Sequence, residues 1–97
     1  MRRARREAHA RQVEFVAECF WTGVTEADLA RLDLQARKSA EPSDVRYLGS
    51  MLMPEDDVVF CFFDGASHDA VASVATAAEI PFERIVESVR SSERREE

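Results

Sequence analysis

Apolar and polar residues alternate along positions 13–21, a pattern that predicts a β-strand with one buried face. Two further apolar runs, at 45–53 and 58–63, flank a short acidic turn that begins with Pro54, so we predict a β-hairpin there. The run at 58–63 is apolar at almost every position, which is typical of a central strand covered on both faces. A shorter fourth strand is predicted at 84–89.

Two helices are predicted between these strands from their capping residues and their apolar spacing. Thr25 followed by Asp28 is a variant of the capping box, and Ser67 is the expected N-cap of the second helix. We expect the helices to end before Pro42 and Pro81, because the residue before a proline leaves the helical region. Their apolar positions follow helical spacing: Leu29, Leu32 and Ala36, then Val71, Val74, Ala75 and Ala78.

The element order β-α-β-β-α-β is that of the ferredoxin-like, or split βαβ, pattern, so the predicted fold class is α+β. Right-handed crossovers place both helices on one face of a four-stranded antiparallel sheet, with strands 1 and 3 at its centre. The other face then carries Val16, Phe20 and apolar residues of strand 3, a larger apolar patch than monomers usually expose. We therefore expect two sheets to pack face to face in a homodimer, as in dimeric α+β barrels.

Length and charge divide the chain into one folded unit with a charged segment at each end. The 97 residues, 45% of them hydrophobic, suit one small domain, which we predict at 13–89. Residues 1–12 hold five arginines and one glutamate, a net charge of +4, and are expected to form a flexible basic arm. The charged tail at 90–97 is expected to fray. Beyond residue 12, eight basic and eighteen acidic residues give a net charge of −10, which argues against nucleic-acid binding by the folded body.

The compartment expected for this chain is the cytoplasm. No apolar run approaches the roughly 18 residues of a membrane span, and a polar stretch follows the N-terminal arginines where a signal peptide would be apolar. Cys19 and Cys61 lie inside apolar runs without Cys-x-x-Cys spacing, so we expect buried, reduced thiols.

Three carboxylates are candidates for cation binding or general base chemistry. Glu14 and Glu18 lie four residues apart on strand 1 and therefore share a face, and Glu87 lies in strand 4. The alternative is that these side chains form ion pairs across the sheet with Arg46 or Arg84.

Four other side chains are candidates for chemistry or binding. Cys61 would need a nearby base to act as a nucleophile, and His68, at the start of helix 2, is either a neutral metal ligand or a surface residue. Tyr47 and Ser50 have polar tips that suit either a ligand cavity or the edge of the core. The sequence contains neither a Gly-rich phosphate loop nor a Gly-x-Ser-x-Gly motif, so no catalytic residue is assigned.

Four segments resemble those of a family of small bacterial ferredoxin-like proteins that includes a nickel-binding member: ECFWTGVT (18–25), VRYLGS (45–50), DVVFC (57–61) and IPFERI (80–85). The resemblance covers 13–89, and its motifs define a fold more than a chemistry. It implies a homodimer built from two α+β sheets. It also implies binding of nickel or another divalent transition metal.

Within this resemblance, four residues match family positions, one on each strand: Glu18, Ser50, Cys61 and Glu87. Many relatives carry a histidine on helix 2 at the position where this chain has Val74. Because imidazole is well suited to nickel, this departure implies that metal binding is weakened or lost here.

The leading hypothesis is a small homodimeric binding protein whose metal ligands are Glu18, Cys61 and His68. One alternative is a small-molecule-binding protein or an enzyme that uses the cavity of a dimeric α+β barrel. The other is a regulatory or interaction subunit without chemistry, since this fold hosts many functions. The residues assigned to small-molecule binding are Tyr47, Ser50 and Glu87.

Overall fold

The computed structural model describes residues 12–91; most of the predicted basic arm and charged tail lies outside the described residues. The elements follow the predicted order: β1 (Val13–Phe20), α1 (Glu26–Ala40), β2 (Arg46–Met53), β3 (Val58–Gly65), α2 (His68–Ala77) and β4 (Phe82–Ser88). This is the ferredoxin-like α+β fold. Within the described range, neither helix is long and apolar enough to cross a membrane.

The four strands form one antiparallel sheet in the order β2-β3-β1-β4, which confirms that β1 and β3 are central. β3 runs two residues further than predicted because Gly65 still pairs with Val13 at the start of β1. β4 starts two residues earlier than predicted because Phe82 already pairs with Cys19, after an irregularity in the ladder.

Both helices begin at the predicted capping residues. The Thr25 hydroxyl accepts a hydrogen bond from the Asp28 amide at 3.1 Å, and the Asp28 carboxylate accepts one from the Thr25 amide at 2.9 Å. The Thr25 amide is the main reason that the pKa of Asp28 is lowered. In α2, the Ser67 hydroxyl accepts from the Ala70 amide at 3.1 Å. These bonds satisfy two amide donors at the start of α1 and one in α2 that would otherwise lack a partner, so the caps stabilise the starts of both helices.

The hydrophobic core lies between the helices and one face of the sheet, which we call the helix face. Its fully buried strand residues are Ala17, Cys19, Val59, Cys61 and Phe63, and the helices cover them with Leu32, Ala36, Val71, Val74 and Ala75. The contact is close at Gly65, where an added Cβ would lie 2.7 Å from a methyl group of Val71. A larger residue at this position would push α2 away from the sheet.

The opposite face of the sheet, which we call the open face, carries a second set of apolar side chains. Its members are Val16, Phe20, Met51, Met53, Val58, Phe60, Phe62 and Val86. Three of them are strongly exposed in the described chain, Phe20 at 58%, Met51 at 49% and Met53 at 39%. β3 is therefore apolar on both faces, as predicted.

A β-bulge in β2 changes which side chains face the helices. Tyr47 pairs with Phe63 and Ser50 pairs with Cys61, although Tyr47 and Ser50 are three residues apart. In a regular strand two such residues would point to opposite faces, but the extra residue between Tyr47 and Gly49 restores both to the helix face. Gly49 has φ +131°, a backbone conformation that residues with a Cβ rarely adopt.

We expect Gly49→Ala to lower the free energy of unfolding by roughly 1–3 kcal/mol, because alanine is strained at this φ. A Cβ at Gly49 would meet no atom within 4 Å, so backbone strain and loss of the bulge are the only sources of the effect. Gly23→Ala is the matched control, since Gly23 also has a positive φ (+76°) and open space around it. Urea unfolding, followed by circular dichroism, should show the larger loss for Gly49→Ala; equal losses would contradict a special role for the bulge.

Candidate functional site

A polar cluster joins α1 to the edge strand β2. The hydroxyl groups of Tyr47 and Ser50 both donate a hydrogen bond to Oδ1 of Asp33, the latter at 2.8 Å. We call these three residues the Asp33 cluster. The bulge in β2 is what allows one carboxylate oxygen to accept from both hydroxyls. Charge-assisted bonds of this kind are stronger than neutral ones, so the cluster fastens α1 to the sheet.

Tyr47 is held from several sides. Its ring packs edge-on against Phe63, with 5.2 Å between the ring centroids, and the guanidinium of Arg37 lies 5.7 Å from the Tyr47 centroid. Partial burial and, secondarily, the bond to Asp33 raise the pKa of Tyr47 far above its ordinary value. The phenol therefore remains protonated and keeps donating to the carboxylate.

A pair of thiols lies directly behind the Asp33 cluster. Cys61 is the cross-strand partner of Ser50, and Cys19 lies on the neighbouring strand β1, one diagonal step from Cys61. Both thiols are free and fully buried. The Cys19 thiol and burial raise the pKa of Cys61 well above its ordinary value, so Cys61 is protonated at neutral pH. A protonated, buried thiol is not prepared for nucleophilic attack.

The three predicted metal ligands do not meet within the chain. Glu18 lies on the open face, where its carboxylate accepts a hydrogen bond from Arg84 at 2.6 Å. Cys61 lies on the helix face, so the sheet itself separates it from Glu18. His68 begins α2, with its side chain 57% exposed and its ring edge-on to Phe15 at 6.4 Å. Among residues 12–91 no three His, Cys, Asp or Glu side chains are grouped closely enough to hold a metal ion.

Of the three residues predicted to bind a small molecule, the structure brings two together. Tyr47 and Ser50 meet on Asp33, but Glu87 is exposed on β4, the opposite edge strand from β2. Asp33 was not predicted from the sequence. A signal for it exists, because Asp33 lies four residues after Leu29 and three before Ala36 and thus interrupts the apolar stripe of α1.

The predicted carboxylates of β1 and the histidine position on α2 have ordinary structural environments. Glu14 makes two hydrogen bonds with Arg90, the shorter at 2.8 Å, on the open face beside the Glu18–Arg84 pair. Val74, at the position of the family's histidine, is buried against the sheet. Glu18 forms the predicted ion pair across the sheet with Arg84, whereas the partner of Glu14 is Arg90 and Arg46 pairs with Asp64.

A shallow groove of about 280 Å³ borders the Asp33 cluster at the C-terminal end of α1. Its lining includes Arg37, Ser43, Arg46 and Tyr47. The groove touches the outer side of Tyr47, whereas the thiols lie on the buried side. The polar groups of the cluster are thus placed between a solvent-facing groove and the interior.

These features define a small ferredoxin-like α+β protein with a polar cluster under its first helix and an apolar outer sheet face. The chain belongs to the family of nickel responsive SCO4226-like proteins, whose family model matches residues 15–87. The crystal structure of SCO4226 from Streptomyces coelicolor A3(2) is similar in fold, with a TM-score of 0.74 and 20% sequence identity over 81% of this chain and 99% of that one. A comparison with curated protein sequences finds no significant match.

We expect alkaline conditions to unfold the protein as Tyr47 ionises. The folded state keeps the phenol protonated while the unfolded chain loses its proton near the ordinary pKa of 10.0, so stability is intact below that pH and falls above it. Tyr47 is the only tyrosine, so tyrosinate absorbance reports this residue alone. The absorbance change should coincide with loss of circular dichroism. Above the ordinary tyrosine pKa, the free energy of unfolding of the wild type should fall more steeply with pH than that of Tyr47→Phe, by about 1.4 kcal/mol per pH unit. Tyrosinate that forms near pH 10 in a chain that is still folded would contradict this prediction.

Proposed function

We propose that this chain is a homodimeric binding protein of the nickel responsive family, paired through its open face. The exposed apolar side chains of that face carry the proposal, Phe20, Met51 and Met53 above all. A contiguous apolar surface of this kind is uncommon on a soluble monomer and marks an interaction site. Pairing with a second copy buries it and gives β3 a hydrophobic layer on both sides.

Charge on the open face supports the same pairing. The chain is acidic overall, with a net charge of −6, so two copies repel each other at long range. On this face, however, each carboxylate has an arginine beside it: Glu14 with Arg90, Glu18 with Arg84, and Asp64 with Arg46 at 3.7 Å. When two such faces meet, neither brings an unpaired charge to the contact. A two-fold dimer uses the same surface on both copies, so that surface must be complementary to itself, and paired charges meet this requirement.

The metal part of the proposal is that the chain binds nickel weakly, with Glu18 as its principal ligand. The family's name supports a response to nickel. Glu18 lies on the face where we place the second copy, so pairing brings further donors towards it. Its bond to Arg84 and the loss of the family's histidine at Val74 both lower the affinity expected for a metal, since a cation must compete with the guanidinium.

The dimer is tested by placing a charge at the centre of the open face. We expect the wild-type chain to be a dimer at micromolar concentration in sedimentation or native mass spectrometry, and Phe60→Lys to be a monomer, because a buried lysine without a partner opposes association. Leu34→Lys is the matched control, since Leu34 is 59% exposed on α1, away from this face, and should leave the dimer intact. A monomeric wild-type protein overturns the proposal.

Nickel binding is tested by calorimetric titration of protein that carries no histidine tag. We expect weak binding by the wild type, loss of the heat in Glu18→Gln, and tighter binding by Arg84→Gln, because that variant frees the Glu18 carboxylate. Glu26→Gln, an exposed change in the first turn of α1, is the control and should behave as the wild type. No heat with the wild type, or equal heats with Glu18→Gln, would remove Glu18 as a ligand.

A further inference from the structure

We propose that Cys19 and Cys61 together bind a soft, thiol-seeking monovalent cation, with copper(I) as the biological example, inside the core between the helices and the sheet. This site goes beyond the proposed function and is independent of it. It lies on the helix face, whereas the nickel proposal rests on Glu18 on the open face. The two proposals therefore use opposite sides of the sheet and can fail separately.

The register of the central strands brings the two sulfurs together. Cys61 pairs with Ala17, and Cys19 follows two residues after Ala17 on the same face of β1. Diagonal neighbours of this kind on antiparallel strands are within reach of each other's side chains. Both side chains lie on the helix face, where both thiols are fully buried, and neither forms a disulfide. The two central strands therefore hold a pair of sulfur donors on the same face of the sheet.

The chemistry of a two-thiol site selects the metal. Thiolates are soft ligands that favour copper(I), whereas nickel(II) is served better by nitrogen donors and needs more of them. Copper(I) is stable with two sulfur ligands in a linear arrangement, so no third protein ligand is required. Binding replaces two S–H bonds by two S–Cu bonds, and the two protons pass to the thiolates of the small complex that delivers the metal, which leave as thiols. The bound centre carries one negative charge.

Tyr47 is placed to stabilise that charge. Tyr47 and Ser50 donate to the same Asp33 oxygen, and Ser50 is the cross-strand partner of Cys61, so the Tyr47 hydroxyl is held on the same face of the sheet as the Cys61 thiol. When the metal is absent, the phenol donates to Asp33. When the thiolates form, the same proton can turn towards the Cys61 sulfur, because Ser50 still donates to Asp33. The Asp33 cluster thus supplies a hydrogen bond to the buried anionic centre, which lowers the free energy of holding that charge in the core.

Entry to the site passes the Asp33 cluster. Both cysteines are fully buried, but Tyr47 and Ser50, which border Cys61, are only partly buried and lie on the edge strand β2. Opening this edge exposes Cys61 first. On this route the cation is received by exchange from a small thiol complex, first by Cys61 and then by Cys19.

The test is anaerobic competition for copper(I) against a chromogenic chelator, with the metal supplied as its glutathione complex. We expect the wild type to withdraw one copper ion per chain, and Cys19→Ser and Cys61→Ser each to abolish this. Tyr47→Phe should weaken binding by about 10-fold. Glu26→Gln, an exposed change in the first turn of α1, is the control and should bind copper(I) as tightly as the wild type. A wild type that withdraws no copper, or serine variants that withdraw it equally well, would overturn the proposal.

A second measurement does not depend on whether the serine variants fold. X-ray absorption by the copper-loaded wild type should show copper(I) with two sulfur neighbours and no nitrogen or oxygen neighbour. Three or more ligands, or nitrogen ligands, would place the copper elsewhere on the chain and would equally overturn the two-thiol site.

Discussion

Burial of β3 is the constraint on which the rest of the structure depends. Its odd-numbered residues Val59, Cys61 and Phe63 are fully buried under the helices, and its even-numbered residues form the middle of the open face. Burying a large apolar side chain stabilises a fold by roughly 1.5–3 kcal/mol, so a strand apolar on both faces must occupy the centre of a sheet. β1 and β2 take their register from this strand, and both helices take their positions from its helix face.

This arrangement divides the polar chemistry of the protein between two separate compartments. The open face holds Glu14 and Glu18 with their arginine partners, and the helix face holds the Asp33 cluster and both thiols. The carboxylates of β1 and the two thiols therefore lie on opposite sides of the sheet. The nickel site that we propose and the sulfur site that we infer therefore use opposite faces of the sheet.

The β-bulge beside Gly49 determines which side chains of β2 face α1. A regular β2 would place Ser50 on the open face and leave Asp33 with Tyr47 alone. One extra residue turns Ser50 towards α1 and pairs it with Cys61 across the strands. The Asp33 carboxylate then accepts a hydrogen bond from Ser50 as well as from Tyr47. Sequence patterns do not show such a change, because the run of apolar residues in β2 is compatible with either register. Glycine at a position inside a strand is the one local hint.

The sequence by itself determined the element order, the helix caps and the central place of β3, because periodicity and capping depend on neighbours in the chain. It identified Tyr47, Ser50 and Cys61 as candidates, which the structure brings together, and it missed Asp33. Only the tertiary structure decided which face Cys61 occupies, since a strand apolar on both sides carries no mark of orientation. Pairing with β1 made that choice, and it placed Cys61 beside Cys19 and away from Glu18. Contacts of this kind join residues far apart in the chain, and local patterns do not encode them.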